Sequence, residues 1–135
     1  MPDSLQPPTV LVVDDSTDSR EMLAEFLRFR SFSVTTANDG QSAIAEARRV
    51  RPAIILMDLS LPGIDGWDAT RVLKSDLLTR DIVIIAATAH AFPRERQRAR
   101  DAGCDGFLTK PYDLRVLGDT LDAVFRRGIS ALSGT

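Results

Sequence analysis

Four short apolar runs in this chain end at residues suited to phosphate chemistry. Val10–Val13 ends at Asp14 and Asp15, and Ala53–Met57 ends at Asp58. Ile82–Ala87 ends at Thr88, and Gly106–Thr109 ends at Lys110 and Pro111. If these runs are neighbouring parallel strands, their C-terminal ends gather three carboxylates, a hydroxyl and an ammonium in one crevice, at the edge where open α/β sheets bind ligands. Two carboxylates about 4 Å apart repel by roughly 4 kcal/mol at an effective dielectric near 20, so such a cluster requires a cation or a raised pKa. Hard oxygen donors with room for water favour Mg²⁺ or Mn²⁺ over zinc, and no His/Cys cluster offers another metal site. An aspartate carboxylate is also a nucleophile, and its attack on a phosphoryl donor gives an acyl phosphate. Lys110 offers a mobile point charge and Thr88 a hydroxyl for the phosphoryl oxygens. The set holds no strong general base for rapid hydrolysis, which points to a phosphoenzyme that lasts, as a signalling state does.

Taken singly, each residue has an ordinary explanation. Asp14 and Asp15 could cap a helix, Asp58 could belong to a surface turn before Leu61-Pro62-Gly63, and Lys110 could protect an edge strand. Their shared position at the ends of four strands is what favours the crevice. Lys110-Pro111 also permits a cis peptide bond, which would turn the lysine back towards the aspartates.

The elements that must position these residues alternate regularly. Strands are predicted at Thr9–Val13, Phe32–Thr35, Ala53–Met57, Ile82–Ala87 and Gly106–Thr109. The first, third and fourth are continuous apolar runs, as in strands buried on both faces of a parallel sheet. Phe32-Ser33-Val34-Thr35 alternates and reads as an edge strand, and the short fifth run suits the other edge. The first helix presents Met22, Leu23, Phe26 and Leu27 on one face, with Asp18 and Glu21 as a capping pair. The second presents Ala43, Ile44, Ala47 and Val50. The third runs from Gly66 to Leu78 with Trp67, Val72, Leu73 and Leu77 as anchors. The fourth, Pro93–Ala102, is crowded by Arg94, Arg96, Arg98 and Arg100 and should be loosely held, ending in a left-handed cap at Gly103. Leu114, Leu117, Leu121 and Val124 line the fifth. Five strands and five helices in strict alternation predict a doubly wound α/β domain with strand order 2-1-3-4-5, which places Asp14, Asp15 and Asp58 at its topological switch point.

Bulk properties agree. The 135 residues suit one domain with a real core. The formal net charge of −2 gives no reason to expect nucleic-acid binding through bulk charge. The single cysteine, Cys104, fits a reducing cytosol, and no apolar run reaches the length of a membrane span. Met1–Pro8 reads as a flexible lead-in and residues 128–135 as a flexible tail.

Together, LVVDDS (Leu11–Ser16), MDLSLPGIDG (Met57–Gly66), AATAH (Ala86–His90) and GFLTKP (Gly106–Pro111) resemble the receiver domain of bacterial two-component response regulators. The resemblance covers nearly all of the folded chain, with the receiver domain placed at residues 9–127. It implies a flavodoxin-like fold and carries roles onto the matching positions. Asp58 is then the phosphoacceptor, and Asp15 and Asp14 bind Mg²⁺ with Asp58 and the Ser60 carbonyl. Thr88 is the switch hydroxyl and Lys110 the phosphate-binding lysine. Phe107 stands where tyrosine is frequent, so any aromatic switch here works without an outward hydroxyl. Ser60 and His90, two residues beyond Asp58 and Thr88, could tune access to the acyl phosphate.

The resemblance further implies a sensor histidine kinase or histidine phosphotransfer protein as phosphodonor. It implies a downstream protein target on the face made by helix 4, strand 5 and helix 5, with no direct nucleic-acid or membrane partner. The chain would be cytoplasmic, a monomer or a phosphorylation-dependent dimer. It would catalyse its own phosphorylation and slow autodephosphorylation without acting as a multiple-turnover enzyme. With no DNA-binding output domain in the chain, it would be a whole single-domain regulator or a receiver excised from a hybrid kinase or larger regulator. Three other readings stand beside this one: a haloacid-dehalogenase-type phosphatase, a pseudo-receiver that never turns over phosphate, and a flavodoxin-like cofactor binder. Against them stand Ser60 where the phosphatases carry a second aspartate, the complete acidic set, and two aspartates where a phosphate cradle needs donors.

Overall fold

Alternation of strand and helix builds one five-stranded parallel sheet. The computed structural model describes residues 8–59, 61, 65–89, 92–128 and 132. Its elements run β1 (Thr9–Val13), α1 (Thr17–Phe29), β2 (Ser33–Ala37), α2 (Gly40–Val50), β3 (Ile54–Asp58), α3 (Gly66–Ser75), β4 (Val83–Thr88), α4 (Pro93–Ala102), β5 (Gly106–Thr109) and α5 (Leu114–Arg127). The sheet order is β2-β1-β3-β4-β5, as the burial patterns of the strands predict.

The period of two in each strand divides its side chains between two cores. Leu11, Val13, Ile55, Met57, Ile84 and Ala86 pack with Ala43, Ile44 and Ala47 of α2, Trp67 and Leu73 of α3, and Ala99 and Ala102 of α4. Val10, Val12, Ile54, Leu56, Ile85 and Ala87 pack with Leu23 and Leu27 of α1 and Leu117, Leu121 and Val124 of α5. Every residue of β3 is buried, which fits a strand with paired neighbours on both sides and helices over both faces.

Several local expectations are corrected. β3 and β4 each begin and end one residue later than predicted, because the ladder extends to Asp58 opposite Ala87 and to Thr88 opposite Thr109. Asp58 and Thr88 are therefore the last residues of their strands. The cap of α1 is Ser16, whose hydroxyl accepts from the Ser19 N–H, rather than the Asp18–Glu21 pair. Asp18 instead lies in the first turn, where its charge suits the helix dipole. α3 ends at Ser75, three residues short of the predicted end. Asp76 is extended, and its carboxylate accepts from the Leu78 N–H, which turns the chain away. Leu77 is consequently 75% exposed and Val72 39%, so neither anchors α3. Met22 of α1 is 51% exposed.

α4 is as thinly anchored as its sequence suggests, burying only Ala99 and Ala102, and Gly103 closes it at φ 107°. Two of its arginines do more than face solvent. The Arg98 guanidinium lies 4.6 Å from the Trp67 ring centroid, and that of Arg96 lies 4.9 Å from Phe107. Of the residues expected to form the tail, Gly128 and Leu132 are described. Leu132 is buried and packs over Gly106 of β5, so the chain is anchored there. Of the expected lead-in only Pro8 lies within the described residues.

Candidate functional site

Parallel strands deliver their last residues to one edge of the sheet, and there the three carboxylates meet. Asp14, Asp15 and Asp58 each present an oxygen, and these oxygens lie within 4.8 Å of one another. Asp14 and Asp58 are buried while Asp15 is exposed. The Asp14 N–H donates to the Ala37 carbonyl at 3.1 Å, tying β1 to its neighbour, and Asp14 Oδ1 accepts from the Ser16 N–H at 2.9 Å. Arg20 of α1 reaches back to the Asp14 carbonyl at 2.8 Å.

Lys110 arrives from the end of β5. Its peptide bond to Pro111 is cis, as the sequence allows, and its N–H donates to the Thr88 carbonyl at 2.8 Å. The ammonium lies 3.2 Å from Asp58 Oδ2 and 3.9 Å from Asp14 Oδ2. Thr88 is buried at the end of β4, beside Ala87, which pairs with Asp58. Asp14, Asp15, Asp58, Thr88 and Lys110 are thus assembled at one edge, as the strand ends predict. Phe107 is half-buried on β5 under Arg96. Ser60 and His90 lie outside the described residues.

Burial holds the Asp14 carboxyl above its ordinary pKa, the Ser16 N–H and Lys110 pull it back down, and the charges of Asp58 and Asp15 push it further up. A carboxylate cluster strained in this way fits a small hard cation. The donors are all oxygens, two are held in place by the sheet, and the exposed third leaves a side open to water.

Two features of the site were missed from sequence. α3 begins at a glycine because nothing larger fits: a Cβ on Gly66 would sit 2.4 Å from the Asp58 carbonyl oxygen and 2.7 Å from the Leu59 Cα. The glycine was visible, but what it touches was not. The second is a cavity of about 430 Å³ beside the crevice, lined in part by Met22, Leu23, Pro111, Tyr112 and Leu114. Burial pushes the Tyr112 phenol up to about 12, with the charges of Asp14 and Asp58 adding to the effect, so it stays neutral beside the carboxylates.

A family profile described as the response regulator receiver domain matches residues 10–122. The chain belongs to that family. It is 38% identical over 122 residues to the probable transcriptional regulatory protein TcrX of Mycobacterium tuberculosis, covering 90% of this chain and 51% of that protein. It is 39% identical over 119 residues to the phosphate regulon transcriptional regulatory protein PhoB of Pseudomonas aeruginosa, covering 88% and 52%. The chain therefore spans about half the length of these relatives. Among solved structures, the chemotaxis protein CheY4 of Vibrio cholerae superposes with a TM-score of 0.83 at 30% identity, covering 87% of this chain and 98% of that one. The receiver domain of sensor histidine kinase PA1611 from Pseudomonas aeruginosa superposes with a TM-score of 0.79 at 32% identity, covering 92% and 98%, and that structure has a magnesium ion coordinated in its active-site cleft. This chain is a receiver domain of two-component signalling. Among its described residues no helix is long and apolar enough to cross a membrane.

Proposed function

We propose that this receiver domain takes a phosphoryl group onto Asp58 from a phosphohistidine on a sensor kinase or phosphotransfer protein. The observation that carries this reading is the convergence of Lys110 with three carboxylates whose oxygens lie within 4.8 Å of one another. Asp14, Asp15 and Asp58, with the Ser60 carbonyl, would hold Mg²⁺ or Mn²⁺. A bound ion would supply positive charge to offset that of the phosphoryl oxygens.

The remaining steps belong to the protein's own groups. Asp58, held at the end of a fully buried strand, presents its carboxylate as nucleophile. Lys110, already paired with it, keeps its charge and moves its ion pair to a phosphoryl oxygen as the aspartate is consumed. Thr88 offers its hydroxyl to another oxygen, and its movement is coupled to Phe107. The acyl phosphate hydrolyses slowly for want of a strong base, and Ser60 and His90, two residues beyond Asp58 and Thr88 in sequence, tune that rate. The phosphorylated state is read by a protein partner on the surface formed by α4, β5 and α5, and the domain works in the cytoplasm.

The test is incubation with Mg²⁺ and phosphoramidate, followed by intact mass measurement. One acid-stable, base-labile phosphoryl adduct is expected on the native chain and none on Asp58→Asn. A native chain that stays unmodified, or an adduct that survives in the variant, overturns the assignment. Rapid multiple turnover would instead make the domain a phosphatase.

A further inference from the structure

Beyond α5 the chain returns to the edge of the sheet. α5 closes at Gly128 with φ 72°, and Leu132 beyond it is only 6% exposed. Leu132 joins the core under α5, with Ile85, Leu121 and Val124. Its seat is the start of β5, where Gly106 has no side chain: a Cβ there would stand 3.2 Å and 3.3 Å from the two Leu132 methyl carbons. β5 is an edge strand, with Phe107 packed towards α4 and Leu108 towards α5. An open strand edge is a template for another chain, and Leu132 covers this one at Gly106. It also walls a cavity of about 90 Å³ with Arg96, Ala99 and Arg100 of α4 and with Cys104 and Phe107. The sequence neighbours of Leu132, Ala131 and Ser133, are small, and a hold through one leucine opens at far less cost than the whole domain unfolds.

We propose that Leu132 is an intramolecular occupant of the surface formed by α4, β5 and α5. Seated on Gly106, it keeps a protein partner from the edge of β5, and phosphorylation of Asp58 shifts the equilibrium towards its release. The release rests on Asp58 being the acceptor and on that surface being the docking face, whereas the seat depends on neither. β5 itself connects the two places. Gly106 begins the strand, and Lys110 follows its end with the ammonium 3.2 Å from Asp58 Oδ2. Phe107, next to Gly106, lines the cavity that Leu132 walls and lies under Arg96. When Lys110 moves its ion pair to a phosphoryl oxygen, or the Phe107 ring turns, the change is felt at the Leu132 seat. The opposite wall is α4, which buries only Ala99 and Ala102 and yields readily.

Cys104 is the single cysteine of the chain and shares the cavity with Leu132, so its alkylation reads the seat. Burial pushes its thiol up to about 11, so it reacts slowly while the cavity is closed. The full chain is treated with iodoacetamide at fixed pH, and the adduct is followed by intact mass. Leu132→Ala is expected to speed alkylation by roughly tenfold, as when an open state populated to about 10% becomes the major one. Ile44→Ala, which weakens the core under α2 away from β5, controls for general loosening and should stay near the native rate. After labelling of Asp58 with Mg²⁺ and phosphoramidate, the native chain should react roughly fivefold faster. Leu132→Ala should then gain little more, and Asp58→Asn treated alike should not change. Equal rates in Leu132→Ala and Ile44→Ala overturn the seat. A labelled native chain whose Cys104 rate is unchanged overturns the release. So does a Leu132→Ala chain that gains the full factor on labelling, which would assign the opening to α4 alone. A native chain that takes no phosphoryl group removes the acceptor reading and the release with it, while the two alanine variants still decide the seat.

Discussion

Replacing Asp14 by asparagine should make the metal-free domain more stable while removing its response to Mg²⁺. The carboxylate oxygens of Asp14, Asp15 and Asp58 lie within 4.8 Å of one another, so each pair repels by about 3.5 kcal/mol or more at an effective dielectric of about 20. Against this, the Lys110 ammonium at 3.9 Å returns about 4 kcal/mol to Asp14. The substitution removes two repulsions and one attraction, and it keeps an oxygen to accept from the Ser16 N–H. The gross gain is about 2–3 kcal/mol, and water around the exposed Asp15 reduces it to about 1 kcal/mol. In a domain of this size that raises the melting temperature by about 3 °C.

The pH dependence follows from the raised Asp14 pKa, whose leading cause is burial. A carboxyl that titrates higher in the folded state binds more protons there than when unfolded, so the native protein loses stability as pH rises through that folded value. The advantage of Asp14→Asn is therefore full at neutral pH. It shrinks as the solution is acidified through the raised pKa and is gone below the unfolded value of 3.8. Thermal unfolding followed by circular dichroism, with EDTA and with Mg²⁺, tests this across pH 4 to 8. A variant that melts below the native protein in EDTA, or a gap that does not depend on pH, would refute the electrostatic account. A melting temperature that still climbs with Mg²⁺ would remove Asp14 from the metal site.

Gly66→Ala should destabilise the domain by about 1–3 kcal/mol, because its Cβ would stand 2.4 Å from the Asp58 carbonyl and backbone must move to admit it. Urea unfolding measures this, and the same shift should slow labelling of Asp58 by phosphoramidate. A second test concerns the join between α1 and α5. Arg30 bonds Asp119 at 2.9 Å and Asp122 at 2.6 Å, and a Cβ on Gly118 would meet its guanidinium at 2.2 Å. Gly118→Ala should stabilise an Arg30→Ala background by about 0.5–1 kcal/mol, the usual gain from replacing glycine inside a helix, and should gain less in the native chain, where the Arg30 guanidinium must give way. A double-mutant cycle showing simple additivity would exclude that contact.

Sequence by itself determined the pattern that short-range chemistry imposes. The apolar runs of β1, β3 and β4, the alternation of β2 and the helical stripes all follow from side-chain period and burial, and together they dictate strand order. Strand order in turn delivers Asp14, Asp58, Thr88 and Lys110 to one edge, which made the site legible before any coordinate. Tertiary structure decided what depends on distant partners. Met22, Val72 and Leu77 sit at helical spacing yet stay exposed, because periodicity reports a face and not what covers it. Leu132 reads as part of a polar tail but is buried, since β5 presents a glycine for it to cover. Gly66 is unremarkable in sequence until α3 is docked on the Asp58 carbonyl. Tyr112 shares its cavity with Met22, a neighbour some ninety positions away along the chain. Spacing along a strand or helix is a local property, whereas cavities and close approaches exist only after separate elements have packed.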